Sequence, residues 1–113
     1  MKITQSALLN SSQVAQAKGL GTALARLRIA RGMKQDQAAL RAGLSRNTAY
    51  RLEKGDPGTA MGQILRYLDA IVPGKTLLEL LSETDPALAA LSAREQRRRA
   101  RSLSKRELDE IDF

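Results

Sequence analysis

The stretch 43–55 (GLSRNTAYRLEKG) contains side chains whose types and spacing suit hydrogen-bonded recognition of planar groups. If a helix begins at residue 46, the polar side chains share a sector of roughly 140°, opposite Ala49 and Leu52. The polar set is Arg46, Asn47, Tyr50, Arg51 and Lys54. Arginine can donate two hydrogen bonds to guanine, and asparagine can form a two-bond pair with adenine. A solvated basic face with ordinary capping is the plainer interpretation, but solubility requires neither residue type.

Catalytic and metal-binding chemistry has little support in the composition. The chain has no histidine and no cysteine, which removes the commonest general base and the thiolate and imidazole metal ligands. The acidic cluster 107–113 (ELDEIDF) lacks the glycine-turned loop of a cation site. The G-x-G in 19–24 (GLGTAL) has neither a third glycine nor a preceding strand. We therefore expect no enzymatic activity, no catalytic residue, no metal and no cofactor.

The net charge of +7 is concentrated in the first half of the chain. Residues 1–55 carry ten Lys/Arg against two Asp/Glu, residues 56–93 two against five, and residues 94–113 seven against five. Such a basic half is typical of a polyanion binder, although many small proteins are basic without binding one. The lack of cysteine and of a long apolar run leads us to expect a bacterial cytoplasmic, nucleoid-associated protein with no membrane partner.

Helix signals account for most of the chain and predict an all-α fold. We predict five helices: one from near Ser12 to Arg31, then Gln35–Ala42, Arg46–Lys54, a fourth capped by Thr59 and a short fifth capped by Thr76. These define an N-terminal extension (1–18), a central domain (19–82) and a charged C-terminal tail (83–113).

The tail has weaker signals than the domain. Asp85-Pro86 predicts a turn of helix through Leu91. Ser92–Glu95 and Ser104–Glu107 both have capping-box spacing. The segment between them, RRRARS (97–102), has no apolar periodicity, and we expect it to be disordered or a fraying helix.

The segment 33–55 (MKQDQAALRAGLSRNTAYRLEKG) resembles the helix-turn-helix of Cro/CI-type repressors of the Xre family. The matching positions are a glutamine opening the second helix, an alanine facing the third, a turn glycine, a serine cap, a core leucine and a terminal Glu-Lys-Gly: Gln35, Ala39, Gly43, Ser45, Leu52 and 53–55. The similarity covers about residues 20–81. It implies a five-helix Cro/CI (lambda-repressor-like) domain that binds double-stranded DNA.

The resemblance also implies roles for individual residues. In this motif the start of the recognition helix enters the major groove, so Arg46, Asn47, Tyr50 and Arg51 are the expected base contacts. The expected phosphate contacts are Gln35 and Ser45 together with Lys34 and Lys54. Arg28 and Glu53 occupy the positions of a structural ion pair between the first and third helices.

Four positions depart from the family pattern. Ala38 and Ala49 are smaller than usual, whereas Ile29 and Leu40 are apolar at positions that are usually polar. We hypothesise that Ile29 and Leu40 are covered by the extension, the tail or a partner; the alternative is two singly exposed apolar residues.

One such module covers about half a site, so we expect a homodimer on a palindromic operator. The expected dimer interface is Leu77, Leu78, Leu80 and Leu81, although some of these leucines must close the core. The protein is then either a stand-alone repressor or a HipB-type antitoxin that binds a kinase-like toxin and represses its own operon. The tail could fold on a partner, lie along DNA phosphates or stay solvated.

Overall fold

The helix signals of the sequence correspond to seven α-helices in the computed structural model, which describes residues 5–82 and 86–111. They are α1 (Gln5–Leu8), α2 (Ser11–Ala30), α3 (Gln35–Ala42), α4 (Arg46–Glu53), α5 (Met61–Ile71), α6 (Leu77–Leu81) and α7 (Pro86–Ile111). No strand occurs within these residues, and the predicted all-α, Cro/CI-like fold is confirmed. The five predicted helices correspond to α2–α6, and α2 runs without interruption across the expected boundary at residues 18 and 19.

Most helix starts follow from local capping. The Asn10 side chain accepts a hydrogen bond from the Gln13 backbone N–H at 2.8 Å, and the Gln13 side chain accepts one from Asn10. Thr76 caps α6 through its hydroxyl oxygen, as predicted. Thr59 does not cap the fourth helix, whose N-cap is Ala60, and the Thr59 backbone N–H closes a turn on the carbonyl of Asp56. The helix α5 therefore begins two residues later, at Met61.

The core lies where α3 packs against α4 and α5, with α2 crossing behind them. Its buried side chains are mainly leucines and alanines, with one tyrosine: Leu24, Leu27, Ala38, Ala39, Ala42, Ala49, Leu52, Tyr67, Leu68, Ile71, Leu80 and Leu88. The small alanines on α3 and α4 let these short helices approach closely. At Gly21, α2 approaches the end of α4 so closely that a Cβ would lie 2.6 Å from the backbone nitrogen of Gly55.

The tail differs from the prediction, since α7 is one helix rather than a single turn followed by a disordered segment. Its first part docks on α2: Leu88 is buried, and Glu95 accepts two hydrogen bonds from Arg26, at 2.9 and 2.5 Å. That docked part supplies a helical nucleus, from which the good helix formers Gln, Arg and Ala continue the helix. Ser92 and Glu95 lie inside α7 and do not begin a helix. The Asp85 cap and the Ser104–Glu107 side chains lie outside the described residues.

The described parts of the extension and the tail do not cover Ile29 and Leu40, and cover by a partner remains a hypothesis. Their side chains are 52 % and 82 % exposed. The helix α7 docks on the face of α2 that contains Arg26, whereas Ile29 lies about 60° round the helix from Arg26.

Candidate nucleic-acid interface

The helices α3 and α4 are joined by a tight turn whose geometry depends on two residues. Gly43 adopts the left-handed conformation (φ 70°), which ends α3 without the steric cost that a side chain would impose. The Leu44 N–H then donates to the Ala39 carbonyl at 2.9 Å. Ser45 caps α4 by accepting a hydrogen bond from the Thr48 N–H at 3.0 Å. The sequence therefore sets the angle at which α4 leaves α3.

The helix α4 has two distinct faces. Ala49 and Leu52 are buried in the core. The four expected base-contacting side chains are all exposed: Arg46, Asn47, Tyr50 and Arg51. Two of them have neighbours, since Lys54 Nζ lies 5.4 Å from the centre of the Tyr50 ring and Arg51 Nη1 lies 3.6 Å from Asp56 Oδ2. Both are contacts of exposed side chains, which rearrange at little cost when a ligand binds.

The four expected phosphate contacts lie at or near helix ends. Lys34 is the N-cap of α3 and is exposed, and Lys54 is the C-cap of α4 and is also exposed. Gln35 is turned inward, because its Nε2 donates to Glu53 Oε1 at 2.9 Å. The Ser45 hydroxyl donates to Thr48 Oγ1 at 2.8 Å. Because the side chains of Gln35 and Ser45 are hydrogen-bonded within the protein, a phosphate at either position would be bound by backbone N–H groups. The first N–H groups of α3 and α4 have no backbone acceptor within their own helix.

The end of α4 is held by the carboxylate of Glu53, whose side chain is only 7 % exposed. Arg28 donates from Nε to Oε2 at 2.7 Å and from Nη2 to Oε1 at 3.0 Å, which is the geometry expected of the predicted ion pair. Gln35 and the hydroxyl of Tyr67 complete the set of donors. The carboxylate of α4 thus accepts hydrogen bonds from α2, α3 and α5.

This network also changes the acidity of its members. The hydrogen bond to Glu53 raises the pKa of the Arg28 guanidinium, against the opposing effect of its burial. Burial, followed by the hydrogen bond to Glu53, raises the pKa of the Tyr67 hydroxyl. Both groups therefore keep their protons at neutral pH. Tyr67 was not anticipated from sequence, although a tyrosine among the core positions of α5 (Ile64, Leu68, Ile71) signals a hydroxyl that needs a buried partner.

The four leucines expected at a dimer interface separate into two groups. Leu80 is buried and Leu77 is half-buried, so both contribute to the core, and Leu80 is corrected from interface to core residue. Its burial follows from packing between α2 and α7, where it borders Ala23 and Leu88. Leu78 and Leu81 are 79 % and 60 % exposed. A groove of about 540 Å³ between α2 and α6 is lined by Gly19, Leu20, Leu77 and Leu81, among others.

Comparison with known proteins identifies the domain. A family model described as a helix-turn-helix domain matches residues 19–80, which is more than half of the chain. The chain belongs to the helix-turn-helix domain family. No curated protein and no solved structure matches it significantly. The matched helix-turn-helix residues run from the middle of α2 into α6 and include every residue of the exposed face of α4.

Helix-turn-helix domains are DNA-binding modules, so the class supported for this protein is that of DNA-binding regulators. Within the described residues, this helix-turn-helix protein has no group of acidic, histidine or cysteine side chains able to hold a metal ion. In the same part of the chain, no helix is long and apolar enough to span a membrane.

Proposed function

We propose that this protein is a transcriptional repressor of the Xre family that reads a palindromic operator as a homodimer, with α4 in the major groove. The observation that carries the proposal is the division of α4 into a buried apolar face and an exposed face of hydrogen-bond donors. An α-helix with its side chains is about 10–12 Å in diameter, which fits the major-groove width of about 12 Å. The preceding turn and the Glu53 network support α4 at both of its ends.

Base reading is assigned to the outer face of α4 from its start to its middle. Arg46 and Asn47 occupy the first turn, the part of a recognition helix that reaches furthest into the groove. The Arg46 guanidinium can donate to guanine O6 and N7, and the Asn47 amide can donate to adenine N7 and accept from adenine N6. Tyr50 and Arg51 lie one turn later, where a thymine methyl group or a phosphate is the expected partner.

The dimer is assigned to α6 and the neighbouring face of α2. A two-fold contact pairs the same surface on both subunits, so exposed apolar side chains beside a groove can fill the groove of the second copy. Leu78 and Leu81 are such side chains of α6, and Leu81 lines the groove between α2 and α6. Both leucines are separate from the α4 face, so DNA reading and dimerisation do not compete for residues.

The test compares Arg46→Ala with Lys34→Ala. Each removes one positive charge, but only Arg46 is assigned to a base. Arg46→Ala should weaken binding by about 1–3 kcal/mol on an operator selected from random sequences, with relaxed preference at one base pair. Lys34→Ala should weaken binding to operator and random DNA equally. It should also lower the slope of log K against log salt by about one. Equal losses of Arg46→Ala on both DNAs would refute base reading.

The alternative function is a HipB-type antitoxin that binds a kinase-like toxin and represses its own operon. The observation that favours it is α7, whose residues 96–101 are exposed along a helix that continues to Ile111. It predicts that a neighbouring reading frame encodes a kinase-like protein that copurifies with this chain and whose toxicity the chain suppresses. Co-expression of the two frames, with growth as the readout, tests this directly.

A further inference from the structure

Residues 96–101 of α7 carry positive charge and are exposed. Leu88 is buried, Leu91 is half-buried and Glu95 is bonded to Arg26, so α7 is docked up to about residue 95. Every residue from 96 to 101 (QRRRAR) is exposed. This part of α7 therefore adds nothing to the core, so core packing does not explain why four of its six residues are arginines.

Four arginines of α7 form one stripe. Arg94, Arg97, Arg98 and Arg101 follow the i, i+3, i+4, i+7 pattern, which places them within about 100° of one another on a helix. The docked side of α7 (Leu88, Leu91, Glu95) is centred about 100° from the centre of the stripe. Arg98 lies nearest to that side, and all four arginines are exposed.

A row of positive side chains on one face destabilises a helix, because the charges repel one another. Positive side chains three or four positions apart destabilise a helix by about 0.2–0.5 kcal/mol per pair. A surface that needs only to be soluble carries mixed charges. The stripe also has no apolar side chain, which makes it unsuited to a coiled-coil partner or a membrane surface. A row of anions is the partner that relieves the repulsion, and arginine matches phosphate with two parallel hydrogen bonds.

The direction of α7 brings the stripe towards the end of α2 that leads into α3. Leu81, just before α7, borders Gln16 and Leu20 of α2, whereas Glu95 is bonded to Arg26. The helix α7 therefore runs towards the C-terminal end of α2. From Glu95 to Arg101 is about 9 Å of helix, and from Arg26 to the end of α2 is about 6 Å. The stripe thus reaches the end of α2, after which Lys34 and Gln35 begin α3.

We propose that the stripe Arg94, Arg97, Arg98 and Arg101 binds the phosphate backbone of the duplex that α4 reads, beyond the base pairs contacted by α4. The inference rests on the proposed function, because it assumes a DNA duplex bound at the start of α3 and α4. The stripe supplies affinity and not specificity, since phosphates are the same in every sequence.

The experiment uses the full chain and a quadruple variant with Arg→Gln at all four stripe positions. Its matched control is the quadruple Arg→Lys variant, which keeps the charges. Binding is measured by fluorescence anisotropy between about 50 and 200 mM salt, on a selected operator duplex and on a random duplex of about 30 bp. If each arginine neutralises one phosphate, the Gln variant should lower the slope of log K against log salt by about 3.6. The Lys variant should keep the slope.

The outcomes separate this proposal from the proposed function. A wild-type chain that binds neither duplex refutes the proposed function itself. If the wild-type chain binds both duplexes and the Gln variant has the same slope of log K against log salt, only the stripe proposal is overturned. A Gln variant that keeps its DNA affinity but loses a protein partner overturns the stripe proposal as well. Gln and Arg have similar helix propensity, so circular dichroism should show equal helix content. If the helix content of the quadruple Gln variant is lower, the same salt titration is made with the four single Arg→Gln variants. Each single variant should lower the slope of log K against log salt by about 0.9.

Discussion

The carboxylate of Glu53 accepts hydrogen bonds from three helices, α2, α3 and α5, while it belongs to α4. Each of its two oxygens has two donors, with Arg28 contributing to both. A buried charge pair of this kind costs desolvation, and its net value comes from geometry and complete pairing. Here the geometry fixes the C-terminal end of α4, the helix proposed to enter the major groove. The pair therefore sets orientation as well as stability.

Removing this carboxylate should be more damaging than removing the hydroxyl of Tyr67, which is one of its donors. Glu53→Ala leaves Arg28 buried without its partner and should lower the free energy of unfolding by about 3–5 kcal/mol. Tyr67→Phe removes one hydrogen bond to a charged group and should cost about 1.5–3 kcal/mol. Arg51→Ala, which breaks the exposed pair with Asp56, should cost at most about 1 kcal/mol. Urea unfolding of the three variants measures these values. Equal losses for Glu53→Ala and Arg51→Ala would show that the buried pair has no special role.

At the scale of elements, the contact between α2 and the end of α4 depends on two glycines. A Cβ on Gly21 would lie 2.6–2.7 Å from backbone atoms of Leu52, Glu53 and Gly55. A Cβ on Gly55 would meet the α2 backbone at Ala17 and Lys18 just as closely, and Gly55 also has a positive φ of 76°. Backbone atoms cannot move aside as a flexible side chain can. The glycines therefore permit the crossing that brings Arg28 within reach of Glu53.

Two alanine substitutions in the same helix should have opposite effects. Gly21→Ala forces α2 away from α4 and should lower the free energy of unfolding by about 1–3 kcal/mol or more. Gly19→Ala meets nothing within 4 Å and should raise it by about 0.5–1 kcal/mol, because alanine favours the helix. Thermal unfolding of both variants provides the measurement. A stabilised Gly21→Ala would contradict the close backbone contact.

The elements that were predicted correctly from sequence are those fixed by local signals. Gly43 and Ser45 mark the turn between α3 and α4, and both helices have the predicted starts. The exposed face of α4 was likewise evident from spacing alone. The continuous α7 was missed because its docking depends on Arg26 and Glu95, which are 69 positions apart. The role of Tyr67 was missed because its partner Glu53 lies on a different helix. Contacts of this kind leave no local pattern.

At the scale of the whole molecule, the two most exposed leucines of the described residues lie at separate places, on α6 and on α3. Leu78 and Leu40 are 79 % and 82 % exposed. Only the α6 leucines adjoin the groove lined by α2, and they are the ones assigned to the dimer. Leu40 borders a separate concavity between α3 and α4, together with Arg46. The two surfaces therefore predict different outcomes when a leucine is replaced by a charged residue.

Leu78→Glu should abolish self-association, because it would bury a carboxylate in an apolar two-fold contact. Leu40→Glu alters an equally exposed leucine outside the proposed interface and should leave the dimer intact. Sedimentation equilibrium without DNA distinguishes the two variants. Dissociation by Leu40→Glu with no effect of Leu78→Glu would move the interface to α3. A wild-type monomer at all concentrations would exclude the homodimer.

The two faces of α4 share no residue, and this separation has a consequence for how such a protein diverges. Ala49, Leu52 and Glu53 hold the helix in place, while Arg46, Asn47, Tyr50 and Arg51 point outward. Exposed substitutions of this kind usually change stability by less than about 0.5 kcal/mol. A duplicated gene could therefore acquire a new target sequence through changes in four codons while its product still folds. The same four positions are the natural ones to randomise when the protein is retargeted in the laboratory.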